Sequence, residues 1–426
     1  MDSPFRRISR LLFALLAYRP PRTEVPPQGA FLAGVTVVNP GLDRRTDQTL
    51  VVSGDRITSL SAGPAAPDPP DAGRYRGAYV LPGLIEKHIH FPPPERELAH
   101  LLLLAHGVTS ARGAGDADGT TWPARRRIRA GRIPGPRLFV CGPVLDGEPP
   151  YLPTSWIIRD AAEAEAAVNV VADLGADFIK VHHKLSAEAL AGIRAAAERR
   201  GLRVAGHIPM AVRFEDARLW DVQHLDGLVP YAHSAEAIRA AHCAWRCLNP
   251  DRVDAYVRTS AEQGLVHTPT LASFQAFARL AAPAPALTAA AQWLPRYYRD
   301  VVWSLDGALR MFAPFVQEPS EALWQEVEQA QMVVARLHRA GVRLHLGTDA
   351  PGSPTWCRAP ACTKNCGCSW APASARRRPG RRGRARLALR WACPAWAPSP
   401  RARQLTCWCS PRTRRATWAR WEACAR

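Results

Sequence analysis

Five short strings, far apart in the chain, each end an apolar run on a side chain able to hold a cation. They are His88-Ile89-His90 in LPGLIEKHIH, Lys180 in GADFIKV, His207 in VAGHIP, His224 in DVQHLDG and Asp349 in HLGTDA. Neutral imidazole nitrogen and carboxylate oxygen are what hard-to-borderline divalent cations bind. A fold that gathers these residues must set several strand ends side by side, as parallel α/β barrels do at their carboxyl-terminal face.

Strand geometry accounts for the first string. Side chains alternate with period two, so His88 and His90 share one face while Ile89 enters the opposite apolar layer. Two imidazoles one step apart can hold one cation at roughly 2.0–2.1 Å. Each string also has a plain reading: a half-exposed strand pair for His88 and His90, core histidines for His207 and His224, a helix cap for Asp349. Lys180 is either a lysine snorkelling into water or a desolvated amine open to carboxylation. The joint pattern, not any one string, favours a metal centre.

Strand-like runs at 84–90, 107–112, 137–141, 177–181, 202–207, 219–224, 265–270 and 342–348 make eight. Helical stretches rich in alanine, leucine and arginine separate several of them, as at 161–174, 187–200 and 321–340. This alternation implies a parallel sheet with right-handed crossovers and predicts a (β/α)8 TIM-type barrel over 79–355. The long gap between the last two strands predicts a lid insertion at about 271–330. Residues 30–78 read as short strands and turns, one half of a small β-sandwich domain. Residues 1–29 form a proline-rich amino-terminal arm.

With these strings in hand, the chain resembles the amidohydrolase superfamily, in the branch of imidazolonepropionases and metal-dependent dipeptidase-like hydrolases. The resemblance covers about 30–355 and includes GVTSARGAG, AGRIPGPRLFVCG, GADFIKVHHKLS, HTPTL and LGTDAPGSPT. It implies that His88 and His90 bind one metal and that His207 and His224 bind a second. It also implies a carboxylated Lys180 bridging the two, with Asp349 binding the first metal and moving the proton. Glu86 stands where the family usually has aspartate. Two cations, expected as Zn2+ about 3.5–4 Å apart, would acidify a shared water and polarise a carbonyl. The expected reaction is hydrolysis of a C–N bond in an amide, cyclic amide or dipeptide. A mononuclear deaminase-type relative with one metal is the alternative. His267, and His182 beside His183, are candidates for substrate contact.

Residues 356–426 differ from the rest. They carry seventeen of the fifty-six Lys and Arg but one of the thirty-seven acids, Glu422, and eight of the eleven cysteines. The tail thus contributes +16 of the net +19, so the overall charge does not argue for nucleic acid. Its cysteine spacing matches no paired Cys-x-x-Cys knuckle. Back-translation with permissible GC-rich codons, read two bases later, can give VPGACLHEELRLLVGAGL from Trp356 onward and then, from Arg390, a segment resembling the family's closing strands. The tail therefore reads as an out-of-frame, disordered extension that replaces the second half of the β-domain, and the chain as written is expected to be poorly stable or an inactive remnant. The amino end mimics a signal peptide, but its apolar core spans only about seven residues. Cytoplasm, a small-molecule substrate, no membrane or nucleic-acid partner, and a form compatible with a homo-oligomer complete the expectation.

Overall fold

A computed structural model describes residues 29–350, apart from 40–42, 55, 64–74, 92–95, 117–118, 230–234 and 282–317, together with 369–372, 389–392 and 405–407. The chain divides into two compact units. One is built on a four-stranded sheet, from β1 (Gly29–Val38), β2 (Arg44–Ser53), β3 (Arg56–Ala62) and β4 (Tyr79–Val80), in the order β3-β2-β1-β4. The first three strands pair antiparallel and β4 lies parallel to β1. Leu32, Val35, Val37, Leu50 and Val52 form its core with Tyr75. β3 is exposed along its whole length. Among the described residues this segment forms one sheet, and β1 is buried at consecutive positions from Val35 to Val38, so both of its faces are covered.

Parallel strands dominate the other unit. They are β5 (Leu84–Ile89), β6 (Val108–Gly113), β7 (Arg137–Phe139), β8 (Leu145–Asp146), β9 (Trp156–Ile157), β10 (Ile179–Val181), β11 (Val204–Gly206), β12 (Asp221–Gln223), β13 (Val266–Thr268) and β14 (Arg343–Leu344). Two sheets result, β5-β6-β7 and β14-β13-β12-β11-β10-β8-β9. Each of the eight expected runs holds a strand. β8 and β9 escaped the sequence reading because two residues leave no periodicity to detect. Lys87 N–H donates to Leu346 O at 2.7 Å and His90 N–H to Ala350 O at 2.6 Å, tying β5 to the segment after β14. Asp177 N–H donates to Val140 O at 2.7 Å on the far side.

Helices Ala161–Asp173, Ala187–Arg199 and Ser320–Arg339 match the expected ones within a residue. Asp160 and Ser186 begin the first two by accepting from Glu163 N–H at 2.8 Å and Ala189 N–H at 3.0 Å, satisfying otherwise orphaned amides. Val168, Val171, Ile193 and Leu337 from the helices meet Ile179, Val181, Val204 and Val222 from the strands in one core. Gly206 has φ +147°, and a Cβ there would lie 2.2 Å from Val181 O. Only glycine lets β11 approach β10 so closely just before His207.

Of the expected lid, Leu271–Leu280 and the start of Ser320–Arg339 are described, packed through Ala278, Leu323 and Val327. The amino-terminal arm and the rest of the lid lie outside the described residues. The expectation of a wholly disordered tail is corrected: Ser369–Pro372, Leu389–Ala392 and Leu405–Cys407 pair antiparallel, so that each short segment finds backbone partners. The other tail residues, and with them the helix and strands that the shifted frame would encode, are outside the described set. No helix among the described residues is long and apolar enough to cross a membrane.

Candidate metal centre

The period-two geometry of β5 puts Glu86, His88 and the following His90 on one face, with Ile89 fully buried on the other. Asp349 reaches them from the loop after β14. Its N–H donates to His88 O at 2.8 Å and its backbone is held left-handed at φ +57°. Such a conformation in a residue with a side chain stores strain, and strain of this kind concentrates at functional sites. Asp349 Oδ1 lies 3.1 Å from Nε2 of both His88 and His90. One ligand atom from each of the three residues falls within 4.8 Å of the others. Among the described residues neither ring nitrogen of buried His88 makes a well-aligned hydrogen bond, and its Nε2 meets Asp349 Oδ1 only as a 3.1 Å ion-pair contact. A buried imidazole with both nitrogens unbonded, beside a carboxylate, fits a cation ligand better than a packed core residue.

A second group comprises His182, His183 and His207, again with one nitrogen each within 4.8 Å. His182 and His183 follow β10 and His207 follows β11. Asp226 Oδ2 accepts from His207 at Nδ1 (2.6 Å) and lies 3.0 Å from His183 Nε2. His224, left-handed at φ +58°, lies between the groups, its ring 4.6 Å from that of His88 and 4.7 Å from that of His207. Its Nδ1 is 2.7 Å from Thr270 Oγ1. Lys180, 1 % exposed, donates its amine to Gln223 Oε1.

Burial sets the charge states. It pushes His88, His182 and His207 well below the ordinary imidazole value, and lowers His183 and His224. The histidines are thus neutral near pH 7, the form that binds metal. Burial alone would raise the Asp349 carboxyl, but His224, His88 and His90 outweigh it and hold the group well below its usual range. Burial brings Lys180 down to about 8.

The structure thus brings His88, His90, His207, His224 and Asp349 together, with Lys180 alongside, and adds His182 to them. It does not bring His267 there. That side chain is fully buried against helix Pro250–Glu262, with Nε2 2.9 Å from Ser260 Oγ and Nδ1 3.3 Å from Tyr256 OH. The cause is strand parity. Thr268 points inward to Asp221 at 2.8 Å, so His267, one residue earlier, points outward. Asp226 and Tyr151, whose ring stacks on His182 at 5.0 Å, were not foreseen. The string DVQHLDG contained Asp226 two residues beyond a candidate ligand, and that proximity was the available signal.

Glu86 is fully buried, and burial raises its carboxyl to about 8. Its Oε1 accepts from the backbone N–H groups of His88 (2.8 Å) and Thr348 (3.0 Å), fixing the two ligand-bearing segments against each other. Glu86→Gln keeps that acceptor, whereas Glu86→Ala takes it from the buried His88 N–H and leaves Thr348 N–H with His88 O alone, at 3.2 Å. The expected costs are near zero for Gln and about 1–3 kcal/mol for Ala, read from urea-unfolding midpoints. Equal losses in both variants would show that the charge, not the acceptor, matters.

Comparison with known proteins places this geometry in context. No family model matches the sequence, and no curated protein does. Among solved structures, a bottromycin amidohydrolase superposes with TM-score 0.60 at 24 % identity, covering 85 % of this chain and 76 % of its own. The fold is that of the amidohydrolases. A Xaa-Pro dipeptidase with methionine in its active site shares the amidohydrolase-type architecture at TM-score 0.52 and 16 % identity, covering 79 % and 82 %. A protein described as a prolidase from Bifidobacterium longum gives 0.51 at 21 %, covering 79 % and 77 %.

Proposed function

We propose that the chain is a metal-dependent hydrolase of C–N bonds in amides, cyclic amides or dipeptides, with 79–355 as its catalytic domain. The observation that carries the reading is the meeting of His88, His90 and Asp349 from opposite ends of the parallel-strand region. In this reading the strands close into an eight-stranded barrel, supported by the bonds from Lys87 and His90 to the segment after β14 and from Asp177 to Val140. His88, His90 and Asp349 hold one divalent cation, and His207, with His224 or its histidine neighbours, a second; zinc suits this donor set. Bound there, the cations supply Lewis acidity toward water and the substrate carbonyl.

The chain's own groups do the rest. Asp349, kept anionic at neutral pH, accepts a proton from the attacking water and returns it to the departing amine. Ser273 Oγ, 3.4 Å from Asp349 Oδ2, and the two histidines limit the directions that carboxylate can face. His90 is one-third exposed, so the ion it would hold is reachable from solvent on that side. A cytoplasmic location and a small-molecule substrate belong to the same reading, and the excess positive charge, which lies in the tail, gives no reason to invoke nucleic acid. The test is a panel of dipeptides, lactams and N-acyl amino acids offered to the purified chain, with and without chelator. The expected result, counter to the sequence-based expectation of an inactive remnant, is hydrolysis that is lost on metal removal and returns with Zn2+. Hydrolysis indifferent to chelation would overturn the reading.

A further inference from the structure

We propose that Asp226 is a positioning residue: it holds His207 in the tautomer that offers Nε2 to the second cation, and His183 braces the carboxylate. The inference rests on the metal-dependent reading above and keeps His207 and His224 as the imidazole ligands of that ion. Asp226 Oδ2 lies 2.6 Å from His207 Nδ1 and 3.0 Å from His183 Nε2. A carboxylate only accepts, and a bare ring nitrogen facing it would set lone pair against lone pair. Both nitrogens therefore carry protons and donate to the one oxygen. A metal-binding imidazole is neutral and holds a single ring proton. With that proton on Nδ1, the lone pair of His207 sits on Nε2. His224 makes the contrast. Its Nδ1 is 2.7 Å from Thr270 Oγ1, and a hydroxyl donates as readily as it accepts, so that contact leaves either tautomer open.

His183 is committed to the brace. Donating from Nε2, its neutral ring presents a lone pair at Nδ1, 3.2 Å from Nδ1 of His182. Its side chain is fully enclosed, while those of Asp226 and His207 are 12 % exposed. The backbone around Asp226 is shaped to present it. His224 and Leu225 are both left-handed at φ +58°, a strained pair that turns the chain sharply after β12. Asp226 N–H closes the turn onto Gln223 O at 3.0 Å, and Tyr256 OH donates to Asp226 O at 3.1 Å. Leu225 and Leu228, at 0 % and 1 % exposure, anchor its flanks in the core. At Gly227, φ +85°, a Cβ would come within 2.7 Å of the Phe214 ring, so a side chain there would push the turn away.

The test is the zinc affinity of the metal-stripped, full-length chain, measured by competition with a chromophoric chelator and accompanied by melting curves. The wild type is expected to bind two equivalents. Asp226→Asn cannot accept from both rings; it should keep one ion unchanged and hold the other about 10–100-fold more weakly, the usual effect of losing such a carboxylate. Unchanged affinity for every bound ion overturns this inference alone. So does equal weakening of both ions, which would mark a general loosening of the fold. A wild type that binds no zinc overturns the hydrolase reading together with it. Histidine 15N NMR of the metal-free wild type gives a readout that needs no variant to fold. A proton on His207 Nδ1 supports the assignment, and a proton on Nε2 refutes it.

Discussion

Asp349→Asn is expected to lower kcat/KM by about 10²–10⁴-fold, the loss of a positioned proton-transfer group, with little change in fold. The substitution keeps the size and the left-handed backbone, which asparagine tolerates better than most residues. It removes the anion that lies 3.1 Å from Nε2 of both His88 and His90. The pH profile should change with it. The carboxyl's value lies well below the ordinary range, so wild-type activity should show no acid limb from this group near neutrality. Kinetics of Asp349→Asn beside His267→Gln check the assignment. His267→Gln should keep hydrolysis, since that ring faces a helix, and comparable losses in both variants would sink the proton-transfer role.

Asp221→Ala is expected to cost about 3–5 kcal/mol of stability, the penalty for leaving a buried charge without its partner. Asp221 Oδ2 lies 2.6 Å from an Arg112 guanidinium nitrogen, with side-chain exposures of 0 % and 5 %. Thr268 Oγ1 donates to both carboxylate oxygens at 2.8 and 2.9 Å, and His345 Nδ1 lies 3.0 Å from Oδ2. Arg112 also donates Nε–H to Lys87 O at 2.5 Å and lies over the rings of Phe178 and Trp220. Burial alone would raise the Asp221 carboxyl, but Arg112 and His345 hold it below its ordinary value. Its contribution is therefore complete above a pH of about 4 and declines only as the folded group protonates at lower pH. Urea unfolding of Asp221→Ala and of the double variant Arg112→Met/Asp221→Leu tests this. The double variant should recover much of the loss, and a double variant as unstable as the single one would contradict it.

The network explains part of what the sequence left hidden. Apolar runs ending in a polar residue were enough to find eight strands, because burial on both faces writes itself as Val, Ile and Ala. They were enough for His88, His90 and Asp349, since Ile89 fixes the parity of β5. They were not enough for His267, because β13 spans three residues and nothing in VHT says which face is inward until Thr268 meets Asp221. Arg112 in GVTSARGAG was legible as part of a family-like string but not as an ion-pair partner. Asp221 is more than a hundred residues away, and only the fold brings them together. The same holds for His182 and His183: doublets after a lysine are common on surfaces, and burial by Tyr151 and Asp226 depends on loops that carry no period.

His90 and Asp349 are separated by 259 positions in the chain yet meet through a single carboxylate oxygen. An ion seated there acts as a clasp that circularises nearly the whole parallel-strand region. Closing so long a loop costs an unfolded chain several times the thermal energy, and the cost grows only slowly with length. A clasp present only in the native form adds RT ln(1 + [L]/Kd) to its resistance to unfolding. In the metal-dependent reading, how tightly the protein holds its shape would therefore track the supply of free metal around it.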